Sequence, residues 1–161
     1  MYDPVPIRKQ NRLPDYDYRQ GGAYFVTICA AYKRCLFGLV VDGEDEPVMR
    51  LNQTGQLVDR AIRGIPAHYP TVSLIRHCVM PNHVHLLLSF DTERENPALS
   101  TVVNQMKGAA TIAIGSAVWQ KGFHDHDVRT EAEYRMIGEY IEHNAAKWRS
   151  DTYYTGPEDE K

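Results

Sequence analysis

Two runs of strand-forming residues, Thr71 to Met80 and Asn82 to Phe90, are separated by a single proline, Pro81. Proline fixes φ and has no N–H to give a ladder, so two strands rather than one are expected here. The second run contains His83-Val84-His85 in an otherwise apolar stretch. Side chains alternate between the faces of a strand, so His83 and His85 point one way and Val84 and Leu86 the other. Two imidazoles on one rigid element offer two nitrogen ligands to a single cation and leave positions open for substrate. An arbitrary His-x-His is more often a pair of half-buried rings bonded to their neighbours. Unsatisfied polar rings in an apolar strand cost about 1–3 kcal/mol each, which brings metal ligation in as the competing explanation.

The rest of the chain alternates between the two periodicities. Gly21-Gly22 opens a strand over Ala23 to Ala31, rich in β-branched and aromatic residues, and Leu36 to Val41 and Val48 to Leu51 are shorter strand candidates. The acidic segment Asp42 to Glu46 reads as a loop. Asn52 or Thr54 caps a helix running to about Ala67, with Leu57, Val58, Ala61, Ile62 and Ile65 at helical spacing. A second helix spans Ala98 to about Ala113, and residues 114–129 read as irregular. Thr130 and Glu133 form a capping-box pattern that starts a third helix, expected to reach Trp148. Residues 1–20 read as an irregular arm and 150–161 as a flexible tail, within one domain spanning 1–161. The order points to an α+β sandwich, an antiparallel sheet with helices packed on it.

Hydrophobic residues make up 43% of the 161 and charged residues 24%, a folded rather than a disordered composition. No apolar stretch is long enough to span a bilayer, and the first twenty residues lack a secretory pattern. The three cysteines, Cys29, Cys35 and Cys78, fit neither a disulfide framework nor a zinc site, so reduced thiols in a cytoplasm are expected. The net charge of -3 argues against a nucleic-acid partner. Its distribution softens that. Setting aside the four acids of 42–46, the three of the terminus and Lys161 leaves 17 basic against 14 acidic residues, from totals of 18 and 21.

Two further segments carry chemistry. His124-Asp125-His126-Asp127 is a second His-x-His, but in an irregular stretch nothing holds both rings on one side, and it reads as a surface loop. In the last helix Tyr140 and Asn144 lie four residues apart and project together. A tyrosine oxygen becomes a nucleophile when its charge is stabilised, and a nearby cation does that. The Asn144 amide oxygen is a suitable neutral ligand for the same cation. Helix spacing alone allows Tyr140 to be a packing aromatic instead, and Tyr134, Tyr153 and Tyr154 are other candidates.

Together these segments resemble the single-tyrosine HUH transposases, and within them the REP-associated tyrosine transposases. Met80-Pro81-Asn82-His83-Val84-His85 is similar to the family's histidine motif in full. Residues 12–18, Gly22 to Thr27 and Leu36-Phe37-Gly38 resemble its opening. Trp119 to Phe123 and Tyr140-Ile141 with Asn144 and Trp148 resemble its tyrosine-helix region, so the likeness covers roughly 12–149. The family commonly has proline after the asparagine, where this chain has Ala145, which lets the helix continue.

The resemblance implies a ferredoxin-like α+β sandwich. It implies Mg²⁺ or Mn²⁺ bound by His83, His85 and Asn144, with Tyr140 as the nucleophile that forms a 5′-phosphotyrosine link. The implied substrate is single-stranded DNA beside REP-like hairpins. Lys107 is a candidate phosphate contact, with a solvated helix lysine as the alternative. A cytoplasmic, nucleoid-associated protein without membrane attachment is expected, monomer before homodimer. The alternatives are a hairpin-binding protein without cleavage, an unrelated metal-dependent phosphodiesterase, and a domain whose histidines only pack.

Overall fold

In the computed structural model residues 21–155 are described. The arm expected at 1–20 and the end of the tail, 156–161, lie outside the described residues.

The first strand, β1 (Gly22–Cys29), has no polar-out alternation: Tyr24 through Cys29 are all buried. A strand reads this way when both faces of its sheet are covered. β1 pairs antiparallel on one side with β5 (His83–Phe90) and on the other with β6 (His124–Val128), and β4 (Val72–Met80) completes the sheet beyond β5. The spatial order is β4-β5-β1-β6. With the crossovers described below, this is the ferredoxin-like arrangement. A separate two-stranded hairpin, β2 (Gly38–Val41) and β3 (Val48–Leu51), is inserted after β1, and the acidic loop 42–46 is its turn.

Helix α1 (Gln53–Arg63) is capped by Asn52, whose Oδ1 accepts from the Gly55 N–H at 2.8 Å. Gly55 is required here, because a Cβ at this position would sit 2.1 Å from the Phe37 carbonyl oxygen. The helix stops at Arg63 rather than Ala67. Gly64 breaks it, and Ile65–His68 forms a separate turn, α2, with Pro66 in its first turn, where a missing N–H costs nothing. Helix α3 (Leu99–Ile114) follows β5. Val58, Ile62, Val102, Val103 and Met106 of α1 and α3 pack on Tyr24, Val26, Val84, Leu86 and Leu88, which all point to one face of the sheet.

The other face carries His83 and His85 and is covered by α4 (Glu131–Glu142) and the segment after it. Thr130 caps α4, its Oγ1 accepting from the Glu133 N–H at 3.1 Å, while Glu133 reaches back to the Arg129 N–H. The helix ends at Glu142 instead of running to Trp148, and Ala145–Ser150 is a tighter 3₁₀ turn. The Asn144 side chain bonds into the protein beneath, and that tertiary anchoring breaks the helix even though Ala145 would have allowed it to go on.

Two further expectations differ from the structure. Residues 124–128 are the edge strand β6, not an irregular loop. Residues 150–155 of the expected flexible tail are packed down, with Tyr153 only 5% exposed. Among the described residues no helix is long and apolar enough to cross a membrane.

Candidate metal centre and nucleophile

His83 pairs with Cys29 and Met80, and His85 with Thr27 and Cys78, so both rings stand in the middle of the sheet, fully buried. Their ring centroids are 4.6 Å apart. Each ring is held by its Nδ1. His83 Nδ1 lies 2.8 Å from the Asn82 Oδ1, and His85 Nδ1 lies 2.9 Å from the Thr27 hydroxyl. The Asn82 amide nitrogen donates to the carbonyls of Tyr153 (2.7 Å) and Lys33 (3.3 Å), which fixes the amide and leaves Oδ1 as acceptor. His83 therefore carries its proton on Nδ1, and its Nε2 presents a lone pair. A ligating histidine is normally oriented through its other nitrogen in this way.

The Nε2 atoms of both rings are buried and without a hydrogen-bond partner. Buried polar atoms are rarely left so, because each costs on the order of 1–3 kcal/mol. The third member of the cluster is Asp151. Its Oδ2 is 3.9 Å from His83 Nε2, and one ligand atom from each of His83, His85 and Asp151 lies within 4.8 Å of the others. The two orphaned nitrogens and the carboxylate fit a divalent cation, and they form an HUH-type metal-binding triad.

The electrostatics favour the same use. Burial pushes His85 down to about 3 and holds His83 well below the ordinary histidine value, with the neighbouring His85 and Lys33 adding to the latter. Both rings are neutral near pH 7, as ligands must be. Burial raises the Asp151 carboxyl above its usual range, outweighing the hydrogen bonds from Tyr153, Asn144 and Tyr140 that lower it.

Tyr140 and Asn144 meet this cluster from above. The Tyr140 ring packs edge-on to His85 at 5.4 Å, and its hydroxyl is 3.5 Å from Asp151 Oδ2. The same ring is part of an apolar cluster with Phe25, Leu87 and Ile137, so it both packs and presents its oxygen. Burial, and then the charge of Asp151, raises the phenol above its ordinary value, so it stays protonated without a cation beside it. Asn144 is buried next to both. Its Nδ2 donates to Asp151 Oδ2 at 3.4 Å, and its Oδ1 faces the Cys78 thiol at 3.8 Å. Asn144 thus lies against the cluster through its amide, and Asp151 brings a carboxylate oxygen to the two histidines.

Asp151 was not among the residues singled out from the sequence. It ends the 3₁₀ turn, its Oδ1 accepts from the Tyr153 N–H at 2.9 Å, and this local Asx turn aims Oδ2 at the histidines. The legible signal was Trp148, Tyr153 and Tyr154 around it, an aromatic density out of place in a flexible tail. Trp148 and Tyr153 close over His83, at ring distances of 6.1 and 4.5 Å. Lys107 lies apart from the cluster, on α3, where its ammonium donates to the carbonyls of Gln120 and Gly122, each at 3.0 Å.

Residues 52–144, more than half of the chain, match the family described as Transposase IS200 like. The chain belongs to the IS200-like transposases. A protein of unassigned function from Haemophilus influenzae is 29% identical to this transposase, the alignment covering 91% of this chain and 93% of that one. The solved structure of a REP-associated tyrosine transposase bound to a REP hairpin shares the fold (TM-score 0.60, 22% identity, 84% of this chain and 74% of that one). A putative transposase from Deinococcus radiodurans R1 shares it at TM-score 0.50 and 18% identity, over 81% of this chain and 95% of the other. The triad, with a tyrosine oxygen beside it, accords with a tyrosine-nuclease transposase.

Proposed function

We propose that this transposase cuts and rejoins single-stranded DNA beside hairpins of the REP type, with Tyr140 as the attacking residue. The carrying observation is that two segments far apart in sequence, β5 and the stretch from Tyr140 to Asp151, deliver two orphaned imidazole nitrogens, a carboxylate oxygen and a phenol oxygen to one spot. Bound Mg²⁺ or Mn²⁺ would polarise the scissile phosphate and offset the charge that develops on it. His83, His85 and Asp151 would hold that ion, and the Asn144 amide beside them would add its oxygen or steady Asp151. Tyr140 Oη attacks phosphorus and loses its proton as the new P–O bond forms. The P–O3′ bond breaks, and the departing oxygen takes up a proton to become a 3′-hydroxyl. The 5′-phosphotyrosine keeps the bond energy, so a second 3′-hydroxyl reverses the step without a nucleotide cofactor. Tyr140 lies over the histidines of its own chain, which supports a monomer acting in cis. Lys107 retains one N–H beyond the two it gives to carbonyls, enough for one phosphate oxygen. The hairpin substrate is suggested by the fold shared with the REP-hairpin complex.

The test is incubation of the full chain with Mn²⁺ and an oligonucleotide carrying a hairpin and its single-stranded flank. Wild type forms a covalent protein–DNA adduct and Tyr140→Phe forms none. Binding without an adduct in the wild type points instead to a hairpin-binding protein. Hydrolysis of a simple phosphodiester without an adduct points to an unrelated hydrolase.

A further inference from the structure

The turn after β1 carries a feature that the fold does not use. Tyr32 is 91% exposed, and both Tyr32 (φ 56°) and Lys33 (φ 54°) adopt the left-handed backbone region, which residues with a Cβ avoid. Hydrogen bonds hold the turn on both sides. The Ala30 N–H donates to the Asn82 carbonyl at 2.9 Å, and the Lys33 carbonyl accepts from the Asn82 amide. Strain that is held in place around a solvent-facing aromatic is characteristic of ligand contacts.

The turn faces a second segment that is fixed just as firmly. The Ala31 N–H donates to the Val118 carbonyl at 2.8 Å, and the Gln120 N–H to the Cys29 carbonyl at 2.9 Å. The Trp119 indole N–H donates to the Lys107 carbonyl, and the Lys107 ammonium grips the carbonyls of Gln120 and Gly122. Between the two segments is a cleft of about 570 Å³ lined by Ala31, Tyr32, Lys33, Trp119, Gln120 and Lys121. The lining offers two aromatic rings, one amide and two ammonium groups, and no carboxylate. A flat uncharged ring with an anion on each side meets all of these: the base stacks on an aromatic face, the amide reaches its edge, and the lysines take the phosphates. The cleft also adjoins the metal centre. Lys33 Nζ is 5.6 Å from the centroid of the Tyr153 ring, which itself packs on His83.

We propose that the cleft between Tyr32 and Trp119 binds one unstacked base of the DNA strand being cut, with Lys33 and Lys121 on the flanking phosphates. This rests on the single-stranded DNA reading above and adds the element that sets the strand's position. Because Tyr32 is exposed, Tyr32→Ala leaves the fold intact, and Tyr32→Phe keeps the stacking face.

The measurement is fluorescence anisotropy of the full chain with labelled single-stranded oligonucleotides, in which an abasic site is walked along the strand. Tyr32→Ala weakens binding by about 5- to 150-fold, the range that one base–aromatic stack supports, and Tyr32→Phe stays within about twofold. In the wild type one abasic position reproduces that loss, and at that position Tyr32→Ala costs nothing more. Unchanged binding by Tyr32→Ala while the wild type forms its adduct overturns the cleft alone. So does an equal loss on duplex DNA or at every abasic position, which would make Tyr32 a general docking contact. A wild type that binds no single-stranded DNA overturns both readings.

Discussion

The molecule contains two His-x-His pairs, and the contrast between them shows what turns spacing into a site. Both lie on strands, and by register all four histidines face the same side of the sheet: His83 opposite Cys29, His85 and His124 opposite Thr27, and His126 opposite Phe25. The pair on β5 is central and fully buried, each Nδ1 is taken by a neighbour, and both Nε2 atoms are left facing Asp151. The pair on β6 is on an edge. His126 gives its Nε2 to Glu133 at the start of α4, so that ring is spent on joining a helix to the strand. Among the described residues, His83, His85 and Asp151 are the one group of three His, Cys, Asp or Glu side chains placed to hold a metal ion. Strand period places two rings together in both cases; a third ligand within reach makes only one of them a centre.

The largest effect expected from that contrast is in metal binding. His83→Ala with His85→Ala lowers Mn²⁺ affinity by at least about 100-fold, since the remaining carboxylate is a poor site by itself. His124→Ala with His126→Ala leaves it within about twofold. Titration calorimetry on the full chain decides; a loss in the second variant would erase the distinction between the pairs.

An intermediate effect is expected in acid. His85 titrates near 3 in the folded protein and near 6.5 unfolded, so below pH 6.5 the unfolded chain takes up a proton that the folded one refuses. Stability contributed by the neutral ring is present above pH 6.5 and falls as pH drops toward 3, by up to about 1.4 kcal/mol per pH unit. Urea midpoints of the metal-free protein between pH 7 and pH 4 measure the slope. His85→Ala makes that slope shallower, and an unchanged slope would mean that the ring is not buried neutral.

The smallest effect concerns the edge pair. The His126–Glu133 bond is partly exposed, so His126→Ala costs no more than about 1 kcal/mol and a few degrees in thermal midpoint. A loss of several kcal/mol would show β6 and α4 to be coupled far more tightly than a partly solvated hydrogen bond allows.

How far the sequence could be read differs from element to element. Strands β1 and β5 were legible because both faces are buried and the runs are largely apolar, aromatic or β-branched, β4 because apolar and β-branched residues mark its two ends although its middle is exposed, and Asn52 and Thr130 act as the caps they resemble. β6 was hidden: His-Asp-His-Asp alternates, but neither of its faces is apolar, so only the free edge of β1 makes it a strand. The end of α4 was hidden for a similar reason. Helical propensity favours continuing through Ala145, and the buried bonds of Asn144 override it.

The sequence by itself determined that His83 and His85 share one face of a strand, and it predicted one helix face for Tyr140 and Asn144, because strand and helix periods are local properties of the backbone, although α4 ends at Glu142 before it reaches Asn144. It did not determine that those faces meet, nor that the chain doubles back after Asn144 to bring Asp151 between them. Those outcomes depend on how α4 and the segment 145–155 pack on the sheet. Contacts between residues as far apart as Asn82 and Tyr153 leave no periodic trace in the chain, so only the tertiary structure could assemble the third ligand with the first two.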